Sequence, residues 1–241
     1  MTITSTKTVR EIALELPGAT RVFEKLGIDY CCGGGKSLEE ACLGAGVLVE
    51  KAIDLLQDTG SAAVGANGTR DWNQAPLSDL ASYIVTRHHG FTREELPRLS
   101  QLLAKVCSVH GENHPELRKL QVTFQGLQEE LTGHMFKEEH ILFPYIETLE
   151  TTVARGEPAP TPFFGTVRNP VRIMMQEHDD AGQALRDLRE ASSNYKVPAD
   201  GCISFRALYQ ALEEFEKDLH QHIHLENNIL FPRAAELEAG A

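Results

Sequence analysis

The chain has 241 residues, with 23 Lys plus Arg against 35 Asp plus Glu and a formal charge of −12. That balance argues against a nucleic-acid partner, which needs a surplus of cations to neutralise phosphate, and no apolar run reaches the roughly 18 residues of a membrane span. At 41% apolar and 24% charged the composition is that of a globular protein and not a disordered one, and five cysteines are too few and odd in number for a disulfide framework.

Val9, Ile12, Ala13 and Leu16 recur at helical spacing until Pro17-Gly18 interrupt them. Val22, Phe23 and Leu26 form a second stripe, closed by Gly27 at a C′ position. Ser37 to Glu40 reads as a capping box that opens a third short helix, and Val47 to Asp58 carries a fourth. Residues 1–58 are therefore expected to form a small helical domain. From 59 to 76 the sequence turns small, Gly-rich and polar, which predicts a linker. Four long amphipathic stretches follow, from Ser78 to Cys107, Pro115 to Leu149, Pro170 to Ser192 and Ser204 to Leu237. Asn169-Pro170 reads as an N-cap followed by proline in the first turn, and Pro144 and Pro232 are expected to end or kink their helices. No segment alternates as a strand would. The expected fold is all-α, with an antiparallel four-helix bundle over residues 77–239 behind the small domain.

The bundle contains an internal repeat. His134-x-x-x-Glu138-x-x-Ile141-Leu142-Phe143-Pro144 returns 88 residues later (134 to 222) as His222-x-x-x-Glu226-x-x-Ile229-Leu230-Phe231-Pro232. His89 lies 45 residues before the first copy (89 to 134) and His178 lies 44 before the second (178 to 222). His88 adjoins His89, but the matched spacing selects His89. Residues i and i+4 share a helix face, so each His/Glu pair aims one way. If that way is inward, His89, His134, Glu138, His178, His222 and Glu226 converge. Four imidazoles and two carboxylates suit a pair of first-row transition metals. With a bridging oxygen and both carboxylates bridging, they supply about ten of the twelve positions of two octahedra, which leaves each metal open to a small molecule. Ferritin-like sites place Glu before His at i,i+3, and no HExxH peptidase motif occurs. Glu139, His140, His220 and His224 turn elsewhere on the helical wheel, and His110 and His114 carry no assigned role.

GGGKS at 33–37 is not a phosphate-binding loop, because Tyr30 stands where that motif needs glycine. The glycines instead make an approachable backbone beside Cys31-Cys32, and Lys36 is expected to favour thiolate there. Thiolates are good iron ligands. Cys42, Cys107 and Cys202 read as inert small residues.

This combination resembles a known family. A short domain with Tyr30-Cys31-Cys32-Gly33-Gly34, followed by RHHGFTREELP, HMFKEEHILFP, EHDDAG and HIHLENNILFP, is similar over nearly the whole chain to the iron-sulfur cluster repair di-iron proteins, which carry a hemerythrin-like domain. The resemblance implies two non-haem irons, oxo- or hydroxo- and carboxylate-bridged, held by the six bundle residues. It implies repair of iron-sulfur clusters damaged by nitrosative or oxidative stress, with iron delivered to the damaged protein and Cys31 and Cys32 exchanging iron or thiol ligation. Some relatives imply an alternative, the binding, scavenging or reduction of nitric oxide or another diatomic. The remaining expectations are a cytoplasmic protein without nucleic-acid or membrane partners, since MTITSTKTVREIALEL lacks a signal-peptide layout, and, by family analogy, a homodimer.

Overall fold

A computed structural model describes residues 3–16, 18–62 and 71–241. Among these residues every named element is helical. Helices α1 (Val9–Glu15), α2 (Ala19–Leu26), α3 (Leu38–Ala45) and α4 (Val49–Ala62) make the small N-terminal unit. Two capping boxes start α1 and α3: Thr8 with Glu11, and Ser37 with Glu40 as the sequence predicts. The two cap residues face each other in an isolated antiparallel bridge, with Leu38 N–H donating to Lys7 O at 2.8 Å. Gly27 closes α2 in the left-handed conformation, φ 67°. Val9, Ile12, Phe23, Tyr30, Leu38 and Leu56 fill one core.

The expected linker is shorter than its composition suggests. Helix α4 runs on to Ala62, and Pro17 and residues 63–70 lie outside the described residues. Residues 71–76 are tied to both parts of the chain. Asn73 Nδ2 donates to Leu14 O at 3.2 Å, and Arg233 donates to Trp72 O at 2.8 Å.

Four long helices follow. Helix α5 joins Leu77–Tyr83, a π-helical turn Ile84–His89 and Gly90–His110; α6 joins Glu116–Lys137, a π-turn Glu138–Leu142 and Phe143–Ala154. Helix α7 is Arg168–Ala191, and α8 joins Ile203–Leu225, a π-turn Glu226–Leu230 and Phe231–Ala239. Two hydrophobic layers run across them. One holds Leu99, Leu120, Leu185 and Phe215; the other holds Ile84, Ile146, Met174 and Leu230. Successive helices meet the layers in opposite order, which makes the bundle antiparallel, and the six predicted ligands sit between the layers.

Pro144 and Pro232 do not end their helices. The π-turns absorb them: Phe143 N–H bonds to Glu138 O and Phe231 N–H to Glu226 O, five residues back. Proline lacks an N–H, so Pro232 leaves the carbonyl of Asn228 without its helical donor. Arg10 of α1 supplies one, its Nη2 lying 3.2 Å from Asn228 O.

Asn169 is not an N-cap. Helix α7 begins one residue earlier, and Asn169 Nδ2 instead donates to Phe164 O at 2.8 Å. The acceptor at this end is remote: Glu238 takes the Val167 N–H at 2.9 Å, the Tyr145 hydroxyl at 2.5 Å and the Thr166 hydroxyl. No helix of the described residues is long and apolar enough to cross a membrane.

Candidate metal centre

The π-turns carry three of the six predicted ligands, and ordinary helix carries His134, His178 and His222. His89 ends the first π-turn, Glu138 begins the second and Glu226 the third, and such turns re-aim side chains where an ordinary helix would not. Together they bring all six predicted residues into one buried layer. Glu138 and Glu226 are 0% exposed.

Two clusters result, each with its ligand atoms within 4.8 Å of one another: His89, Glu138, His222 and Glu226, and His134, Glu138, His178 and Glu226. Both carboxylates belong to both clusters. The histidines pair across the repeat and not within it. His89 Nε2 faces His222 Nε2 at 3.1 Å, and His134 Nε2 faces His178 Nε2 at 3.0 Å. Glu138 spans His89 and His134 at 3.3 Å each, and Glu226 spans His222 at 3.0 Å and His178 at 3.1 Å.

The residues fit a cation. Both oxygens of Glu138 and Oε2 of Glu226 are buried without a hydrogen-bond partner, so two carboxylates lie in a layer closed to water. Paired imidazole nitrogens about 3 Å apart each need a proton or a metal between them. Burial opposes ionisation of Glu226, yet the His222 and His178 imidazoles hold it well below the usual carboxylate range. Burial also opposes the His134 imidazolium, but Glu138, Glu177 and Glu226 outweigh it and push its pKa up to about 10. Four nitrogens and two shared carboxylates are a donor set for iron, manganese or zinc.

A further shell of residues holds three of the four histidines by Nδ1. Glu139 Oε1 lies 2.6 Å from His89, Glu177 Oε2 lies 2.8 Å from His134 and Asn227 Oδ1 lies 2.8 Å from His178. Such contacts fix the tautomer and aim Nε2 inward. Arg93 pairs with Glu139, and Lys137 with Glu177. Asn227 and Glu177 fall outside the H-x-x-x-E motif, and the repeat signals only Asn227, whose counterpart Glu139 also holds a histidine, while the counterpart of Glu177 is His88, which does not. Asn227 stands 88 residues after Glu139 (139 to 227), and Glu177 stands 89 after His88 (88 to 177), as His178 does after His89 (89 to 178). His222 Nδ1 is the exception and has no partner. His88 takes no place in either cluster: it stacks on His222 with centroids 5.7 Å apart and bonds Asp218 at 3.0 Å.

His220, His224 and the two asparagines receive the small domain. His220 contacts Glu24 at 2.9 Å, Asn228 Nδ2 donates to Tyr30 O at 3.0 Å, and Asn227 Nδ2 donates to Cys31 O at 3.2 Å. His140 stays exposed, stacked on Phe136. Gly34 fits this contact closely: a Cβ there would stand 3.2 Å from Asn228 Oδ1 and 3.1 Å from Tyr30 O, so its neighbours would have to give by a few tenths of an ångström.

Cys31 and Cys32 are both free thiols against the bundle. Cys32 Sγ lies 3.4 Å from His178 O, and Asn227 joins His178 to Cys31 through its two amide atoms. Asp29, Cys31 and Cys32 form a third group able to hold a metal. The expected help from Lys36 is overruled by nearer neighbours. The hydrogen bond with Cys32, burial and the Asp29 carboxylate push the Cys31 thiol well up; Asp29 Oδ1 accepts from the backbone of Cys32 at 2.9 Å and of Gly33 at 3.0 Å.

A helical bundle with histidines and glutamates around a buried interior layer defines a metal-binding four-helix protein, and the comparisons agree with the geometry. A model described as the hemerythrin HHE cation binding domain matches residues 80–234, and one described as a domain of unknown function, DUF542, matches residues 5–59. The chain is 37% identical over 227 residues to the probable iron-sulfur cluster repair protein of Haemophilus influenzae, covering 92% of this chain and 94% of that one. It is 40% identical over 224 residues, with the same coverage, to the iron-sulfur cluster repair protein YtfE of Yersinia pseudotuberculosis and of Yersinia pestis. The chain belongs to this iron-sulfur cluster repair family, and its own hemerythrin HHE domain follows a DUF542 domain.

Proposed function

We propose that the two clusters hold two non-haem irons and that the protein restores damaged iron-sulfur clusters in the cytoplasm by giving up iron. The observation that carries this reading is the sharing of Glu138 and Glu226 between two four-residue clusters, one of which reaches Cys32 through His178. His89 and His222 would hold one iron, His134 and His178 the other, with both carboxylates and an oxo or hydroxo group bridging them. Bound there, the pair supplies releasable iron and open positions for a small molecule. Glu139, Glu177 and Asn227 keep the imidazoles aimed inward. The two apolar layers exclude water. Cys31, Cys32 and Asp29 offer a mixed sulfur and oxygen set that runs from buried Cys31 through half-buried Cys32 to exposed Asp29, from which iron could pass to a damaged protein.

The assay mixes the reduced, iron-loaded protein with a cluster enzyme inactivated by nitric oxide. Reactivation is expected, with loss of it in E138Q, E226Q and a C31S/C32S double variant. Nitrosyl spectra without reactivation would replace repair by capture of a diatomic ligand, and nitrous oxide would replace it by reduction.

A further inference from the structure

At the end of the bundle remote from the metal layer, three segments meet over the buried Phe205 ring. His110 ends α5, His114 lies in the turn before α6, and Asp200 and Cys202 lie in the loop before α8. The His110 and His114 rings stand edge-on to Phe205, each with centroids 5.3 Å away. His110 Nε2 lies 3.1 Å from Cys202 Sγ. His114 is held by carboxylates on both sides, Nδ1 2.9 Å from Glu116 and Nε2 3.1 Å from Asp200. Asp200, two residues from the sulfur, is thereby engaged on His114. Cys202 itself is exposed.

We propose that Cys202, paired with His110 at the exposed start of α8, is a second reactive thiol site, modified by small electrophilic oxidants such as hydrogen peroxide. The other helical thiols contrast with it. Cys42 is buried, and Cys107 is half-buried and donates to Leu117 O at 3.3 Å; burial pushes both up. The His110 contact, followed by the Ser204 and Phe205 backbone N–H groups, brings Cys202 down to about 7. A thiolate and not a thiol is the nucleophile, so this sulfur alone among the three is armed at neutral pH. The thiolate attacks one peroxide oxygen. The S–O bond forms as the O–O bond breaks, sulfur is oxidised to the sulfenic acid, and the departing hydroxide takes up a solvent proton and leaves as water.

Cys202 and His222 are 20 residues apart along α8 (202 to 222), roughly 30 Å at helical rise. Iron content therefore reports folding independently of the thiol. On the iron-loaded full-length protein, alkylation by iodoacetamide is followed at each cysteine by peptide mass spectrometry as pH is raised. The expected profile for Cys202 has its midpoint near 7, and its rate at pH 7 exceeds that of Cys107 by roughly tenfold. H110Q is expected to cut that rate roughly tenfold with iron content unchanged. Hydrogen peroxide with a sulfenic-acid trap is expected to label Cys202 in the parent and not in C202S. A Cys202 midpoint at an ordinary thiol value that H110Q does not move would overturn the proposal, and so would a trap signal confined to Cys31 and Cys32.

Discussion

Asn227 shows how much rests on single atoms in this chain. Its side-chain oxygen faces His178 Nδ1 at 2.8 Å while its nitrogen donates to Cys31 O at 3.2 Å. The matching position in the first half of the repeat carries Glu139, which serves His89 and a surface arginine instead. The same site in the repeat thus has two jobs, and only the asparagine, with a donor as well as an acceptor, can join a histidine to a backbone carbonyl. Removing such a partner loosens the imidazole that it aims. E139A, E177A and N227A are each expected to weaken iron retention by about 10- to 100-fold, measured by competition with a chelator. H140A, on an exposed ring, is expected to leave retention unchanged. A flat response across the four would mean that packing alone orients the imidazoles. The six inner residues are legible in the sequence because spacing of four and the 88-residue repeat are helix arithmetic. Their partition is not legible. Whether His89 faces His134 or His222 depends on which helices cross, and spacing along one chain does not contain that.

Elements are governed by the same repeat. Glu150 accepts the Leu77 and Ser78 N–H groups at the start of α5, at 2.6 and 2.9 Å. Glu238, 88 residues later (150 to 238), accepts the Val167 N–H at the start of α7. Each helix pair therefore caps the N-terminus of its first member with a carboxylate from the end of its second. The local reading of Asn169-Pro170 failed here because capping rules look only a few residues along the chain, whereas these caps come from a distant helix end. Thr8 and Ser37, which cap through their own neighbours, follow the local rule. E238Q is expected to lower stability by about 2 kcal/mol, since it replaces a charged acceptor of three donors. The dependence on pH has a definite sign. Burial raises the Glu238 pKa, but the Thr166, Tyr145 and Val167 donors lower it further, to below 4.5 in the folded chain. Its contribution is complete above the unfolded carboxylate value and lost as pH falls through the folded one. Urea midpoints of the parent and E238Q should converge on acidification below pH 4.5 and stay parallel above it. A gap that persists undiminished in acid would assign the loss to packing.

At the scale of the whole molecule, the small domain sits where the repeat is broken. The second copy carries Asn227-Asn228 where the first carries Glu139-His140, and both asparagines bind the backbone of the Tyr30-Cys31 segment. Arg10 takes the carbonyl that Pro232 leaves free, His220 takes Glu24, and Arg186 lies 3.6 Å from Asp29. One half of a near-symmetric bundle has thus become a docking face, and the two candidate ligand clusters are no longer equivalent: the one containing His178 lies under the cysteines. Gly182 sets that approach. A Cβ at this position on α7 would stand 3.4 Å from Cys32 Sγ, in ordinary contact, but the further carbons of a larger side chain would enter the space of the sulfur. G182V should therefore lift Cys31-Cys32 away while leaving the six inner residues, on their own π-turns and helices, in place. Iron content of G182V is expected to match the parent within error, while reactivation of a nitric-oxide-damaged cluster enzyme falls by about tenfold or more. G182A, which adds only the tolerated Cβ, should retain most of that activity. The two readouts separate the roles: loss of iron with loss of repair would mean that the docked domain merely seals the bundle, whereas retained iron and retained repair would remove the cysteine pair from the delivery route.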